Sequence, residues 1–320
     1  MPQKILLVRT SSMGDIIHTF PAAVDFKKAF PEAELHWLVE ESFADVCGLC
    51  SAVDAMPKTA FRRWRKTPFA SSVRREIRDL KERLRSEKYD AVVDTQGILR
   101  SAWAASWAGV PVTGYSRNTV REPLATFFYK KTFEMPARLG TVRRYRRMLA
   151  TAIGYEIDEE HPKFGAKAPA LKLDLDLPEN FAALFVNASL KRPKLWVEER
   201  WKELVCDLAS IGLSSVLFWG NDSEKERAER IAAASPAARV LPRMKIPEIA
   251  AVVSQAKIGI GLDTGLMHLA AALAIPCVGV WVDTDLEKIS LIGEVDCATI
   301  GGVNADISAA EIFEAVKERL

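Results

Sequence analysis

Ile258-Gly259-Ile260-Gly261-Leu262-Asp263-Thr264-Gly265-Leu266-Met267-His268 decides how this 320-residue chain folds. Five residues without a polar side chain run straight into Asp-Thr-Gly, and apolar residues resume at helical spacing. A short unbroken apolar run reads as a strand buried on both faces, the habit of parallel sheets. Asp and Thr are residues that open helices. A strand that ends in a helix start is the first half of a βαβ unit.

Working outward, the same alternation recurs. Ala182 to Val186, Ser215 to Trp219 and Cys277 to Val282 read as further strands, with helices near Glu198 to Ile211, Ser223 to Ala234, Ile246 to Ala256 and Thr264 to Leu273. The N-terminal part repeats the plan. Lys4 to Arg9 is an apolar strand, Thr10 to Asp15 a loop, and Ile16 to Phe30 a helix with a kink expected at Pro21. Leu35 to Val39 and Asp90 to Asp94 are strands, and a basic helix covers about Ser72 to Glu87. A loop rich in Asp, Glu, Pro and Lys, from Glu156 to Asp176, separates the two series. The expectation is an α/β chain of two Rossmann-like, doubly wound parallel-sheet domains, residues 1–160 and 161–320. Their strand carboxyl ends would face one another across a cleft, where such sheets bind ligands.

Composition narrows the function. Hydrophobic residues make up 49% and charged residues 27%, which excludes a disordered chain. The formal net charge of +2 excludes a uniformly basic nucleic-acid coat. That total hides an asymmetry: residues 1–150 hold 26 basic against 16 acidic side chains, net +10, and residues 151–320 hold 18 against 26, net −8. The first half is equipped for an anionic ligand. No signal-peptide pattern opens the chain, and the longest apolar stretch, Leu269 to Val282, contains Pro276 and Gly279 and is too short to span a bilayer. Five cysteines without regular spacing, including the lone Cys47-Gly48-Leu49-Cys50, read as reduced thiols. A cytoplasmic protein is expected.

Three strand ends in the second half suit a nucleotide. The glycines of 258–265 lack dinucleotide-fingerprint spacing, which leaves a phosphate site: Asp263 and Thr264 as caps, Gly265 for close approach, and helix amides at a positive dipole end. His268 lies one turn on, on the same face as Thr264. An ordinary capped helix with a core histidine reads equally from these residues. Asn187-Ala188-Ser189 ends a strand, and Lys194 in the following loop suits a diphosphate as well as a solvated surface position. Glu224, after the strand ending at Trp219, suits ribose hydroxyls or simply a helix dipole.

In the first half, Asp15 is placed to take a proton from an attacking hydroxyl, or to cap a helix. Phe61-Arg62-Arg63-Trp64-Arg65-Lys66-Thr67-Pro68-Phe69 packs four cations and three aromatics into nine residues, and Arg74, Arg75 and Arg78 follow on a helix. Arg143, Arg144, Arg146 and Arg147 read as a second basic helical patch. Arginine forks suit carboxylates and phosphates, and interleaved aromatics suit a membrane interface. No nucleic-acid-binding signature accompanies the charge.

Taken together and in order, Thr10-Ser11-Ser12-Met13-Gly14-Asp15, Phe61 to Lys66, Asp94-Thr95-Gln96-Gly97, Arg121-Glu122-Pro123-Leu124-Ala125, Lys194-Leu195-Trp196, Leu241-Pro242-Arg243-Met244 and Asp263 to His268 resemble the lipopolysaccharide heptosyltransferases of glycosyltransferase family 9, on the heptosyltransferase I side. The resemblance implies a GT-B fold and an inverting, metal-independent transfer of heptose from ADP-L-glycero-β-D-manno-heptose to the first 3-deoxy-D-manno-octulosonic acid (Kdo) residue of Kdo2-lipid A. It makes Asp15 the general base, with Lys194 assisting ADP departure. Ser189, Lys194, Glu224, Met244, Asp263, Thr264, Gly265 and His268 would hold ADP-heptose. Ser12, Gly14, Arg62, Arg63, Arg65, Lys66, Asp94, Gln96 and Arg121 would hold the acceptor. It further implies a monomer, peripheral on the cytoplasmic face of the inner membrane, with no nucleic-acid partner, and a C-terminal helix (about 307–320) returning to the first domain. Asp283-Thr284-Asp285 spells D-x-D, a metal motif of GT-A enzymes, but the Rossmann-like halves point to a metal-free loop. Two alternatives stay open: a paralogue of the heptosyltransferase II kind with another acceptor, and a non-catalytic, nucleotide-gated membrane-surface module.

Overall fold

In a computed structural model, described over residues 2–188, 195–286 and 289–320, twelve strands alternate with eleven helices. Contacts divide the chain into two units, Met1–Gly165 and Ala166–Leu320.

The first unit contains β1 (Lys4–Val8), α1 (Met13–Ala29), β2 (Glu34–Glu40), α2 (Ala44–Cys47), β3 (Lys58–Thr59), α3 (Phe61–Trp64), α4 (Ser71–Ser86), β4 (Ala91–Asp94), α5 (Leu99–Ala105), β5 (Val112–Tyr115), β6 (Tyr129–Phe133) and α6 (Thr141–Ile153). Its sheet is parallel throughout, in the order β3-β2-β1-β4-β5-β6. β1 lies between β2 and β4, with Ile5 opposite Leu35 on one side and Ala91 on the other. Ile5, Leu6, Leu7 and Val8 are fully buried, as a strand covered by helices on both faces must be. Pro21 sits inside α1, which continues from Met13 to Ala29 through it and packs against α6.

The second unit contains β7 (Phe181–Phe185), α7 (Glu198–Ser210), β8 (Ser214–Leu217), α8 (Asp222–Ala232), β9 (Ala238–Val240), α9 (Ile246–Val253), β10 (Ile258–Leu262), α10 (Gly265–Ala272), β11 (Cys277–Trp281), β12 (Cys297–Gly301) and α11 (Ala309–Lys317). Its parallel sheet runs β12-β11-β10-β7-β8-β9. The glycines of β10 serve packing: a Cβ on Gly261 would lie 2.6 Å from Phe185 Cβ on the paired strand β7, so the Phe185 side chain occupies the space that a larger residue there would need. The C-terminal helix α11 belongs to the second unit's core, where Ile312 and Val316 pack with α7 and β11.

In each unit the chain enters at the sheet centre, winds outward, then returns beside its starting strand and winds the other way. The switch points fall between β1 and β4 and between β7 and β10, and the loops after those strands' carboxyl ends are where such sheets bind ligands. No helix among the described residues is long and apolar enough to cross a membrane.

Candidate functional site

The first switch point is built by the loops after β1 and β4. Ser12 caps α1, and Asp15 is not the cap but lies one turn inside the helix. Its Oδ2 accepts from the Ser12 amide (3.1 Å) and the Ser12 hydroxyl (2.9 Å), which is the reciprocal half of a capping box. Its Oδ1 accepts from the Tyr145 hydroxyl of α6 at 2.9 Å. A carboxylate offers about four acceptor positions, so the three donors leave room for a substrate hydroxyl. Burial pushes the Asp15 pKa upward, but the Arg9 charge, the Ser12 amide and hydroxyl, and His18 together bring it below the ordinary aspartate value. The carboxylate is therefore ionised and fixed in orientation.

Arg9 is itself buried, donating to the Thr95 carbonyl at 2.5 Å and lying 3.9 Å from the centre of the Tyr145 ring. Sequence reasoning missed Arg9 and Tyr145. A cation ending an apolar strand was the available signal for Arg9; Tyr145 is hidden among arginines and meets Asp15 across 130 positions.

Asp94 and Gln96 prove to be engaged inside the fold. Asp94 is fully buried and accepts from the Gln96 amide (2.8 Å), the Gly97 amide (3.3 Å), Ser101 Oγ (2.8 Å) and Tyr129 Oη (2.8 Å), with burial holding its pKa above the ordinary value despite these bonds. This side chain has no surface left for an acceptor, which corrects the expectation for it. Gln96 Oε1 accepts from the Thr10 amide and hydroxyl, both at 2.8 Å, while its Nε2 donates to Ser11 Oγ at 3.2 Å. The side chain clasps the β1 loop to the β4 loop. Gly97 follows with φ of +71°, a conformation that side chains disfavour.

The basic segment is presented by a clamp. Glu40 at the end of β2 accepts from the Phe61 amide (3.0 Å), the Arg62 amide (2.8 Å) and Thr59 Oγ1 (2.9 Å), which fixes the start of α3. Arg62 stacks 4.5 Å from the Phe43 ring centre. Arg63 is bound to Glu41 and Glu76, with N–O distances of 3.0 and 2.9 Å. Arg65, Lys66 and Arg121 are exposed and form no ion pair among the described residues. The second basic patch is corrected outright: Arg146 is buried against Asp25 at 2.6 Å, Arg147 pairs with Glu159, Arg143 lies 3.5 Å from Glu159, and Arg144 donates to the Met135 and Thr119 carbonyls. Arg146 is a buried structural cation, and the other three are engaged with a carboxylate or with backbone carbonyls.

In the second unit the candidate residues follow four neighbouring strands, β10, β7, β8 and β9. Asn187, after β7, donates through Nδ2 to the Phe218 and Glu224 carbonyls at 3.2 and 3.3 Å, joining two strand ends. Glu224 Oε2 accepts from the Gly220 amide (2.7 Å) and Oε1 from Asn221 Nδ2 (2.9 Å), so the carboxylate is oriented with further lone pairs available. Met244, after β9, is half-buried. Thr264 caps α10, and its buried Oγ1 has no hydrogen-bond partner among the described residues, which fits a hydroxyl awaiting a ligand oxygen beside free helix amides. Asp263 accepts from Thr284 Oγ1 at 2.9 Å and lies 3.5 Å from His268 Nε2. Ser189 and Lys194 lie outside the described residues. No group of three or more His, Cys, Asp or Glu side chains suited to a metal occurs among the described residues. Cys47 and Cys50 are buried, and burial raises both thiol pKa values, that of Cys50 to about 12.

Comparison with known proteins meets this geometry. Residues 77–309 match the family described as glycosyltransferase family 9 (heptosyltransferase). The chain is 35% identical over 318 residues to lipopolysaccharide heptosyltransferase 1 of Escherichia coli O18:K1:H7, covering 98% of this chain and 97% of that protein. It is similar to the structure of E. coli heptosyltransferase WaaC with ADP, with a TM-score of 0.89 and 33% identity over 99% of this chain and 100% of that one. The complex of WaaC with ADP-2-deoxy-2-fluoro heptose gives 0.86 and 32% over the same shares. The fold is GT-B, and the chain is a glycosyltransferase that belongs to family 9, the heptosyltransferases.

Proposed function

We propose that this enzyme transfers L-glycero-D-manno-heptose from ADP-heptose to the first Kdo residue of Kdo2-lipid A, with inversion and with Asp15 as general base. The carrying observation is the Asp15 carboxylate: ionised, oriented by three donors and keeping an acceptor position at the carboxyl edge of the first sheet. The acceptor oxygen attacks the anomeric carbon as the bond from that carbon to the ADP phosphate oxygen breaks. The proton passes to Asp15, and the electron pair leaves with ADP. The α10 amides, the Thr264 hydroxyl and Lys194 would receive the diphosphate, with Ser189, Gly265, Met244, Asp263 and His268 around the nucleotide-sugar and Glu224 on the ribose. Arg62, Arg65, Lys66 and Arg121 would meet the acceptor's carboxylates and phosphates, with Ser12 and Gly14 beside the base. Arg63, already held by two glutamates, would act mainly by shaping the segment. No metal takes part in this reading. It places the enzyme as a monomer on the cytoplasmic face of the inner membrane.

The test is transfer from ADP-heptose to Kdo2-lipid A or to its heptosylated product. Product from the first acceptor is expected; product from the second alone would assign the chain to the other branch. Asp15→Asn should lower kcat at least ~10³-fold with donor affinity retained, and unchanged turnover would remove Asp15 from its role. Because Arg9, Ser12 and His18 hold the Asp15 pKa below its ordinary 3.8 despite burial, kcat/KM should show no acid limb from this group near neutrality. A limb near ~6 that vanishes in Asp15→Asn would show a base of different character.

A further inference from the structure

We propose that the first unit docks on an anionic lipid bilayer through one apolar wall, made by residues 61–69, α5 and the 3-10 turn Pro123–Phe128, and that an acyl chain of a bilayer lipid enters the cavity this wall encloses. The proposal rests on the reading of the acceptor as a membrane lipid and adds the docking face and its ligand chemistry.

The cavity measures about 800 Å³ and is lined chiefly by Phe61, Trp64, Pro68, Ile98, Trp103 and Phe128. That volume lies within the ~300–1,000 Å³ usual for small-molecule sites. Scattered apolar side chains on a surface need no explanation, but a group gathered round one opening does. Every large apolar side chain exposed in the described part of the first unit lies on this wall: Phe69 (87% exposed), Phe127 (76%), Leu124, Leu99 and Trp103. The 3-10 turn that carries Leu124 and Phe127 packs on α5, which carries Leu99 and Trp103.

Charge selects the occupant. Arg65 and Arg100 line the cavity, Lys66 adjoins it, and Lys81 lies 5.1 Å from the Trp107 ring centre behind Trp103. The neighbouring carboxylates are engaged: Glu122, which also lines the cavity, accepts from the Leu99 amide at 2.8 Å, and Glu76 is held by Arg63 and by Trp64 Nε1 at 2.7 Å. Exposed aromatics beside cations that form no ion pair among the described residues are what an anionic headgroup layer over hydrocarbon recognises.

The full chain would be sedimented with phosphatidylcholine vesicles, with and without phosphatidylglycerol, in the absence of donor and acceptor. Salt-sensitive binding to the anionic vesicles is expected. The double variant Phe69→Ser/Phe127→Ser should bind roughly 100-fold more weakly, since each lost ring removes roughly a tenfold share of apolar transfer. Its thermal melt and its heptose transfer to an acyl-free, water-soluble acceptor should be unchanged. Lipids brominated on the acyl chain should quench tryptophan fluorescence in the wild type and less in Trp103→Phe, reporting entry of the chain into the cavity. Undiminished vesicle binding by the double variant would overturn the proposal, as would equal quenching in Trp103→Phe. Self-association abolished by the double substitution would show instead an interface between copies. A wild type that transfers heptose yet binds neither vesicle would refute docking alone, whereas vesicle binding without transfer to any acceptor would refute the proposed reaction alone.

Discussion

The first unit contains two arginine-rich stretches, 62–66 and 143–147, with four cations apiece. In 143–147, on α6, Arg146 is buried against Asp25, two neighbours share Glu159, and Arg144 closes on backbone carbonyls. In 62–66, Glu40 binds the backbone rather than the charges, and Arg65 and Lys66 point to no internal partner among the described residues. Equal charge in the sequence thus divides into charge engaged within the fold and charge left exposed without an ion-pair partner among the described residues. The dividing factor is where the acidic side chains sit: Asp25 and Glu159 face the helix, whereas Glu40 is occupied by amides. A net charge of +10 over residues 1–150 overstates the anion-binding surface accordingly.

Substitutions can break that contrast. Arg146→Met should be the most damaging, because it strands the Asp25 carboxylate in a poorly solvated place; breaking such a buried pair costs about 3–5 kcal/mol. A denaturant melt checks this, and a loss under 1 kcal/mol would place Arg146 with the ligand-facing set. The double change Arg65→Gln/Lys66→Gln should leave the melt unchanged and raise the acceptor KM roughly 10-fold, about 1.4 kcal/mol, with a weaker salt dependence. Arg63→Gln tests the boundary. Its ion pairs are about half exposed, so the denaturant melt should barely move. Its effect on acceptor KM should be smaller than that of the Arg65/Lys66 pair; a larger effect would mean that Glu41 and Glu76 release it to the acceptor.

What could be read beforehand follows a similar division. The strands at the sheet centres, β1, β2, β4, β7, β8, β10 and β11, are legible because burial on both faces makes them apolar runs. The strands missed were β3, β5, β6, β9 and β12. Four of these are sheet edges, short or polar, as Tyr129-Lys130-Lys131-Thr132-Phe133 illustrates; the fifth, β5, is interrupted by Thr113 and Gly114. Among the candidate site residues, Asp15, Thr264 and Arg65 announce themselves through helix starts and unpartnered charge. Asp94 and Gln96 sit in the same kind of post-strand loop, yet their side chains turn inward, and no local pattern separates the two outcomes. Arg9 and Tyr145 stayed hidden because their meaning depends on contacts remote in the chain.

The Gln96 clasp has a kinetic corollary. The Thr10 amide hydrogen is bonded to a buried side-chain oxygen 86 positions away, at the meeting of the two central strands. It can reach deuterated solvent only when the middle of the sheet opens, so its exchange should follow global unfolding, as in the β1 core. The platform beside Asp15 is thus as long-lived as the sheet itself, although it is drawn as a loop.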